Sequence, residues 1–104
     1  MKFGLTAEQY TYIHDLVVKP LEAMNAQVWC YGSRARGDYK PYSDLDIMVE
    51  SPHDLSGVIE QIKERLTNSN FPYKVDIVEY KHFADAYKAS YRTDKVPFRQ
   101  LACP

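Results

Sequence analysis

Three short β-forming segments alternate with helical patterns along this chain, and this order limits it to the α/β class of folds. Residues 27–31, 44–50 and 73–79 are rich in the β-branched and aromatic residues that strands favour. A helical pattern precedes the first segment, a short helix follows it, and longer helices follow the second and the third. The order predicts an α/β fold whose small sheet is covered by helices mainly on one face.

Capping and breaking residues set the expected limits of the helices. The first helix is expected to begin at Thr6, because Thr6 and Gln9 are spaced as a capping box. Pro20 has no amide hydrogen to donate, so this helix is expected to break or kink close to Lys19. Further helices are expected over 51–67, where apolar residues follow helical spacing, and over 82–92.

Composition narrows the class of function. The 104 residues are 45% hydrophobic and 26% charged, which is typical of one globular domain over residues 1–104. A net charge of −1 argues against non-specific nucleic-acid binding, which requires a basic surface. The apolar runs are too short for a transmembrane span or a signal peptide, so a cytoplasmic protein is expected. The two cysteines, Cys30 and Cys103, are interpreted as free buried thiols.

A glycine, a serine and two arginines follow the first predicted strand. Gly32 allows the backbone to approach a ligand closely, and amides at the start of a helix favour an anion. The Ser33 hydroxyl can donate to a phosphate oxygen, and the guanidinium groups of Arg34 and Arg36 can bind phosphate. The fragment predicts a phosphate site, although a turn with solvated charges has the same composition.

Aspartates interrupt the second and third predicted strands. Asp44 and Asp46 lie two residues apart, so both carboxylates face the same side of the strand. Asp76 lies within the third strand and would join them if the two strands are neighbours. Three clustered carboxylates can hold two Mg²⁺ ions for phosphoryl transfer. The alternative is that the aspartates are solvated or paired with basic residues of the preceding loop.

The spacing of these motifs resembles that of a known superfamily. Gly32-Ser33, ten intervening residues and then the string DLDI over 44–47 are similar to the signature of the DNA polymerase β-type nucleotidyltransferases. The fuller strings GSRARG over 32–37 and SDLD over 43–46 resemble the minimal nucleotidyltransferase (MNT) branch. The resemblance implies the polymerase β-like fold with a small mixed sheet. It ends with the Asp76 strand, because residues after about 80 carry no recognisable signature.

The resemblance also implies an activity. It is the Mg²⁺-dependent transfer of AMP from ATP to a hydroxyl acceptor, with release of pyrophosphate. MNT proteins are commonly paired with HEPN-domain toxins in toxin–antitoxin systems. The implied acceptor is therefore a tyrosine of a HEPN partner, and this chain would be the antitoxin that silences it by adenylylation.

Seven residues match the motif of the family, and the resemblance implies a role for each. Gly32 and Ser33 would hold the triphosphate. Asp44 and Asp46 would bind both Mg²⁺ ions, while Asp76 would bind one ion and act as base or orient the acceptor hydroxyl. Two further matches are interpreted either as nucleotide-binding residues or as residues that stabilise the loop: Arg36 and Ser43.

Three questions stay open at the level of sequence. The first is whether the chain is an enzyme or a non-catalytic nucleotide-binding module that neutralises its partner by stoichiometric binding. The second is the identity of the acceptor. Small-molecule acceptors such as aminoglycosides are disfavoured, because the enzymes that modify them carry an added substrate domain. A chain this short is expected to use an acceptor on another protein. The third is the oligomeric state, homo- or hetero-oligomeric. Base stacking on Tyr39 and Tyr42 is a further possibility.

Overall fold

The computed structural model describes residues 2–98, which form a four-stranded sheet and the helices packed against it. The strands are β1 (Gln27–Tyr31), β2 (Leu45–Glu50), β3 (Val75–Glu79) and β4 (Val96–Pro97). The α-helices are α1 (Ala7–Ile13), α2 (Lys19–Glu22), α3 (Gly32–Arg36), α4 (Ser56–Thr67) and α5 (Asp85–Asp94). A π-helical segment (His14–Val18) joins α1 to α2, and 3₁₀ turns occupy Lys2–Gly4 and Tyr80–His82.

The sheet is mixed and has the strand order β3–β2–β1–β4. β1 pairs with β2 and with β4 in antiparallel orientation, whereas β2 pairs with β3 in parallel orientation. The parallel pair requires a crossover connection, and α4 supplies it. The predicted α/β fold with a small mixed sheet is confirmed.

Alternation along the strands separates a core face from a polar face. Leu45, Ile47 and Val49 of β2 are fully buried in the main hydrophobic cluster, together with Val28 and Ile77 of the neighbouring strands. The residues between them point to the opposite face, because successive side chains of a strand alternate. The aspartates of β2 and β3 therefore lie on the face away from α1 and the main core.

Helix α1 begins as predicted. Pro20 does not interrupt the helical path, which continues from α1 through the π-helical segment into α2. Thr6 caps α1 and exchanges hydrogen bonds with Gln9 in a capping box. The helical path continues through the π-helical segment, in which the Lys19 N–H donates to the His14 carbonyl oxygen, five residues back. This wider turn accommodates the proline ring, which would otherwise clash with the carbonyl of the residue four positions earlier. The predicted kink is thus a local widening of a continuous helix.

Several expected boundaries differ from the structure. β3 begins at Val75 rather than at residue 73, and α5 spans Asp85–Asp94 rather than 82–92. α4 begins at Ser56 rather than at residue 51, because side chains close separate turns before it. Ser51 Oγ accepts the His53 N–H, and Asp54 Oδ1 accepts both the N–H and the hydroxyl of Ser56. Val96 and Pro97 form β4, a strand that the sequence pattern does not predict, and it pairs with Trp29 and Cys30 of β1. Such a short strand forms only because β1 presents an open edge to it.

Two further expectations concern the cysteines and the membrane. Cys30 is a free, buried thiol, and burial raises its pKa to about 12, so it stays protonated and unreactive. Cys103 lies outside the described residues. Within residues 2–98, the structure contains no helix with the length and apolar character needed to cross a membrane.

Candidate active site

Gly32 lies at the junction of β1 and α3, in direct contact with an aspartate of the next strand. Its φ of +73° is in the left-handed region, which favours glycine. A Cβ atom at this position would lie 2.5 Å from Asp46 Oδ2. Only a residue without a side chain therefore brings the β1–α3 turn this close to the carboxylate. The structure places the predicted phosphate motif directly beside the predicted metal ligands.

The strand register brings the aspartates of β2 and β3 together. Asp46 and Asp76 are direct partners in the parallel β2–β3 pair, and Tyr31 is the partner of Asp46 on β1. Asp44 precedes β2 by one residue and lies two residues before Asp46, on the same face. The Leu45 N–H donates to the Lys74 carbonyl oxygen over 2.8 Å, which holds this register at the start of both strands.

Asp46, which lies between the other two aspartates, has a raised pKa. The pKa of Asp46 is raised from 3.8 to about 6, first by burial and then by the negative charges of Asp76 and Asp44. The positive charges of Arg36 and Lys74 act in the opposite direction without cancelling the shift. Asp44 and Asp76 are exposed, so the group opens to solvent on one side. A cation bound between the carboxylates would relieve this repulsion.

The carboxylate oxygens of Asp44, Asp46 and Asp76 are suitable ligands for a hard cation. Oxygen ligands from two or three carboxylates, completed by water and phosphate oxygens, are typical of Mg²⁺ sites. Among residues 2–98, however, no three His, Cys, Asp or Glu side chains already stand in an arrangement that could hold a metal ion. The fit therefore rests on residue chemistry, strand register and the repulsion at Asp46, and the ligand set stays a prediction.

Arg34 does not serve the phosphate motif, contrary to the expectation from sequence. Its side chain is buried, with 2% exposure. Nε donates to the Ser43 carbonyl oxygen and Nη1 to the Phe3 carbonyl oxygen, each over 2.9 Å. The guanidinium carbon lies 4.2 Å from the ring centre of Tyr73 and 5.2 Å from that of Tyr39. Arg34 thus ties α3 to the residue preceding Asp44 and leaves no exposed cation for a ligand.

Arg36 and Ser43, the two further motif matches, both make contacts within the protein. Arg36 is exposed, and its guanidinium group donates to Asp38 over 3.2 Å and to Asp94 of α5 over 3.1 Å. Ser43 Oγ accepts the Lys40 N–H over 2.8 Å, and the Ser43 N–H donates to the Lys40 carbonyl oxygen. These contacts agree with loop-stabilising roles, whereas nucleotide binding by either residue stays a prediction.

Sequence reasoning missed a set of aromatic residues beside Gly32. Phe83, Tyr87 and Tyr91 follow a spacing of four residues, which places them on one side of α5 and of the turn before it. Tyr31 contacts Phe83 and Tyr91 edge-on, with ring centres 5.7 and 5.5 Å apart. The spacing of four residues is the signal in the sequence that could have indicated this set.

The acidic side chain at the far end of β2 also has a defined partner. Glu50 accepts hydrogen bonds from the Tyr91 hydroxyl and, over 3.2 Å, from Lys95 Nζ. Lys95 Nζ lies 4.1 Å from the ring centre of Trp29. Met48 and Tyr91 are buried here, apart from the main cluster. α5 therefore covers part of the polar face of the sheet.

The mixed sheet, the β1–α3 turn and the neighbouring aspartates agree with a nucleotidyltransferase domain, and comparison with known families shows that class. The sequence profile of the nucleotidyltransferase domain family matches residues 15–99, and the chain belongs to this family. The prediction made from the glycine–serine and aspartate motifs is therefore confirmed at the level of the family.

One curated relative is more specific. The "Probable protein adenylyltransferase MntA" of Haemophilus influenzae is 32% identical over 62 residues, which are 59% of this chain and 54% of that protein. The chain thus spans about half the length of the relative that it matches. A solved structure from Sulfolobus solfataricus, provisionally described as a nucleotidyltransferase, matches with a TM-score of 0.45 at 21% identity. The match covers 86% of this chain and 82% of that one.

Proposed function

We propose that this chain is a Mg²⁺-dependent protein adenylyltransferase that transfers AMP from ATP to a tyrosine hydroxyl of a HEPN-domain partner. It would act in the cytoplasm as the antitoxin of a toxin–antitoxin pair, as one domain. Membership of the nucleotidyltransferase family supports the reaction class. The similarity to a protein described as a protein adenylyltransferase supports a protein acceptor.

One observation carries this proposal: the convergence of the phosphate motif and the aspartates on one point of the sheet. The β1–β2 pair brings Gly32 against Asp46, and the parallel β2–β3 pair brings Asp76 beside Asp46. Three segments that are distant in sequence thus supply a close backbone approach and three carboxylates on one face. Phosphoryl transfer requires little more of a protein than such positioning and charge stabilisation.

Each residue has a role in the proposed reaction. Gly32 and Ser33 receive the β- and γ-phosphates of ATP where the backbone is free of side-chain bulk. Asp44 and Asp46 hold Mg²⁺, with Asp76 as a further ligand. When bound, Mg²⁺ neutralises phosphate charge and polarises the phosphoryl group that reacts.

The bond changes follow from this arrangement. The acceptor hydroxyl oxygen attacks the α-phosphorus of ATP, the bond to the bridging oxygen of the β-phosphate breaks, and pyrophosphate leaves. The proton of the hydroxyl group passes to the Asp76 carboxylate, which is exposed at the edge where an acceptor would arrive. The products are the O-adenylylated acceptor, pyrophosphate and a proton.

The test is transfer of label from α-labelled ATP to the protein encoded beside this gene, in the presence of Mg²⁺. We expect Asp44→Asn and Asp46→Asn each to reduce labelling by more than about 100-fold, because metal-held phosphate charge contributes several kcal/mol. Asp15→Asn is the matched control, since Asp15 is exposed on the π-helical segment beyond the core face. It should label the partner as the wild type does.

Two outcomes would contradict catalysis. One is the absence of labelling by the wild-type protein with Mg²⁺ and its neighbouring partner. The other is equal labelling by the wild type and the two aspartate variants. Neutralisation of the partner that survives loss of Asp44 and Asp46 would instead support the stoichiometric binding module.

A further inference from the structure

A cleft lined by aromatic rings opens beside the phosphate motif. It has a volume of about 280 Å³ and lies between α3 and α5. Tyr31, Phe83 and Tyr91 form an aromatic cluster in mutual edge contact, with ring centres 5.5 to 5.9 Å apart. Tyr87 lines the cleft with 64% of its surface exposed and contacts only the edge of this cluster, at Phe83. An aromatic ring is therefore available to a ligand.

The cleft adjoins the proposed phosphate site at one residue. Gly32, whose backbone approaches Asp46, is also one of the residues that line the cleft. A ligand with phosphate groups at Gly32 therefore lies at the mouth of the cleft. This proximity favours one ligand with an anionic part and a flat part over two unrelated ligands.

The rim of the cleft carries polar groups suited to the edge of a heterocycle. Arg36, Ser90 and Asp94 line it, and Asp94 accepts from Arg36 over 3.1 Å and from Ser90 Oγ over 3.4 Å. These side chains provide both donors and acceptors next to aromatic faces. A flat ring with polar edges matches this combination, because stacking uses its faces and hydrogen bonds use its edges.

The alternative stacking residues of the preceding loop are less suitable. The Tyr39 ring already faces the guanidinium group of Arg34 at 5.2 Å. Tyr42 is 86% exposed, so its ring has little protein around it. The cleft at α5 offers several rings beside the phosphate motif, whereas the loop offers one isolated ring.

We propose that the cleft between α3 and α5 binds the nucleobase of the nucleotide, which stacks against Tyr87. This inference rests on the proposed function, since it assigns the base of the same nucleotide whose phosphates lie at Gly32 and Ser33. It gives α5 a direct part in nucleotide recognition.

The test compares ATP with inorganic triphosphate, which has the same anionic part and no base. Calorimetric titration with Mg²⁺ measures the affinity of each ligand for the wild type, Tyr87→Ala, Tyr87→Phe and Tyr42→Ala. We expect Tyr87→Ala to bind ATP about 5- to 20-fold more weakly, at the lower end of the range for base–aromatic stacking. Tyr87→Phe and Tyr42→Ala should bind ATP as the wild type does, and all variants should bind triphosphate equally.

The outcomes separate this inference from the proposed function. If Tyr87→Ala binds ATP as the wild type does, or if Tyr42→Ala alone loses affinity, the base does not lie in the cleft, while the phosphate site is unaffected. If Tyr87→Ala loses ATP and triphosphate affinity equally, the ring acts on the phosphate site and the inference is overturned. If the wild type binds neither ligand, both this inference and the proposed function are contradicted. Thermal unfolding of Tyr87→Ala, monitored by circular dichroism, verifies that the variant is folded.

Discussion

At the scale of single residues, the site depends on a glycine and an arginine with opposite requirements. Gly32 must lack a side chain, because its φ is +73° and Asp46 occupies the space of a Cβ atom. Arg34 must have a long side chain with several donors, because it spans two carbonyl groups from inside the core. The same motif therefore contains one residue that allows a ligand to approach and one that holds the loop before Asp44 in place.

The glycine makes a direct prediction. We expect Gly32→Ala to lower the free energy of unfolding by about 1–2 kcal/mol, because an alanine in the left-handed region is strained and its Cβ displaces Asp46. Urea unfolding monitored by the fluorescence of Trp29, the single tryptophan, measures the change. Gly57→Ala is the matched control: Gly57 lies in α4 with open space at its Cβ, so the substitution should stabilise by about 0.5–1 kcal/mol. Equal effects of the two substitutions would contradict this account of Gly32.

At the scale of elements, α5 is held on the polar face of the sheet by few but specific contacts. The Tyr91 hydroxyl donates to Glu50 of β2, and Asp94 accepts from Arg36 of α3. Tyr91 is the one residue of α5 that is buried, so the helix has a narrow apolar contact. Its position relative to the cleft therefore depends on polar contacts, which sequence periodicity does not reveal.

The contact between Tyr91 and Glu50 can be tested without disturbing the ring packing. We expect Tyr91→Phe to lower the free energy of unfolding by about 1–2 kcal/mol, because a half-buried carboxylate loses a hydrogen-bond donor. Tyr80→Phe is the control, since the Tyr80 hydroxyl accepts an exposed hydrogen bond from Arg92, and its effect should stay within about 0.5 kcal/mol. Urea unfolding of both variants measures the two changes in the free energy of unfolding. A Tyr91→Phe protein as stable as the wild type would show that Glu50 does not anchor α5.

At the scale of the whole molecule, stability and function compete at the aspartates. Folding partly buries Asp46 and brings it beside Asp76, so the folded state holds the proton of Asp46 more strongly than the unfolded chain. The pKa of this group is 3.8 in the reference state and about 6 in the folded protein. A raised carboxylate pKa means that the folded state loses stability as the pH rises between these two values.

This linkage predicts a pH-dependent difference in the metal-free protein. We expect Asp46→Asn to gain stability relative to the wild type as the pH rises from about 4 to 6, and to stay about 1 kcal/mol more stable above pH 6. The value is modest because solvent screens a partly exposed group. Urea unfolding in a chelator at pH 4, 5, 6 and 7.5 measures the difference. Glu22→Gln is the control that should follow the wild type, because Glu22 is an exposed carboxylate at the end of α2. A stability difference between Asp46→Asn and the wild type that is constant across this pH range would contradict a raised pKa at Asp46.

Local chemistry alone determined a large part of this protein. The capping box at Thr6, the limits of β1 and the order of strands and helices followed from residue type and periodicity, because these depend on neighbours in sequence. The spacing between Gly32-Ser33 and the aspartates likewise indicated the nucleotidyltransferase family, because the number of residues between two motifs is a property of the linear chain.

Only the tertiary structure decided which residues meet. Strand order and register depend on contacts between distant segments, so the pairing of Asp46 with Asp76 and the formation of β4 were not readable from local pattern. For the same reason, two arginines that look equivalent in sequence differ in the fold: Arg34 is buried against carbonyl groups, whereas Arg36 is exposed and paired with α5. Burial and long-range pairing are properties of the packed chain, and they bring the motif residues of separate segments together at one place on the sheet.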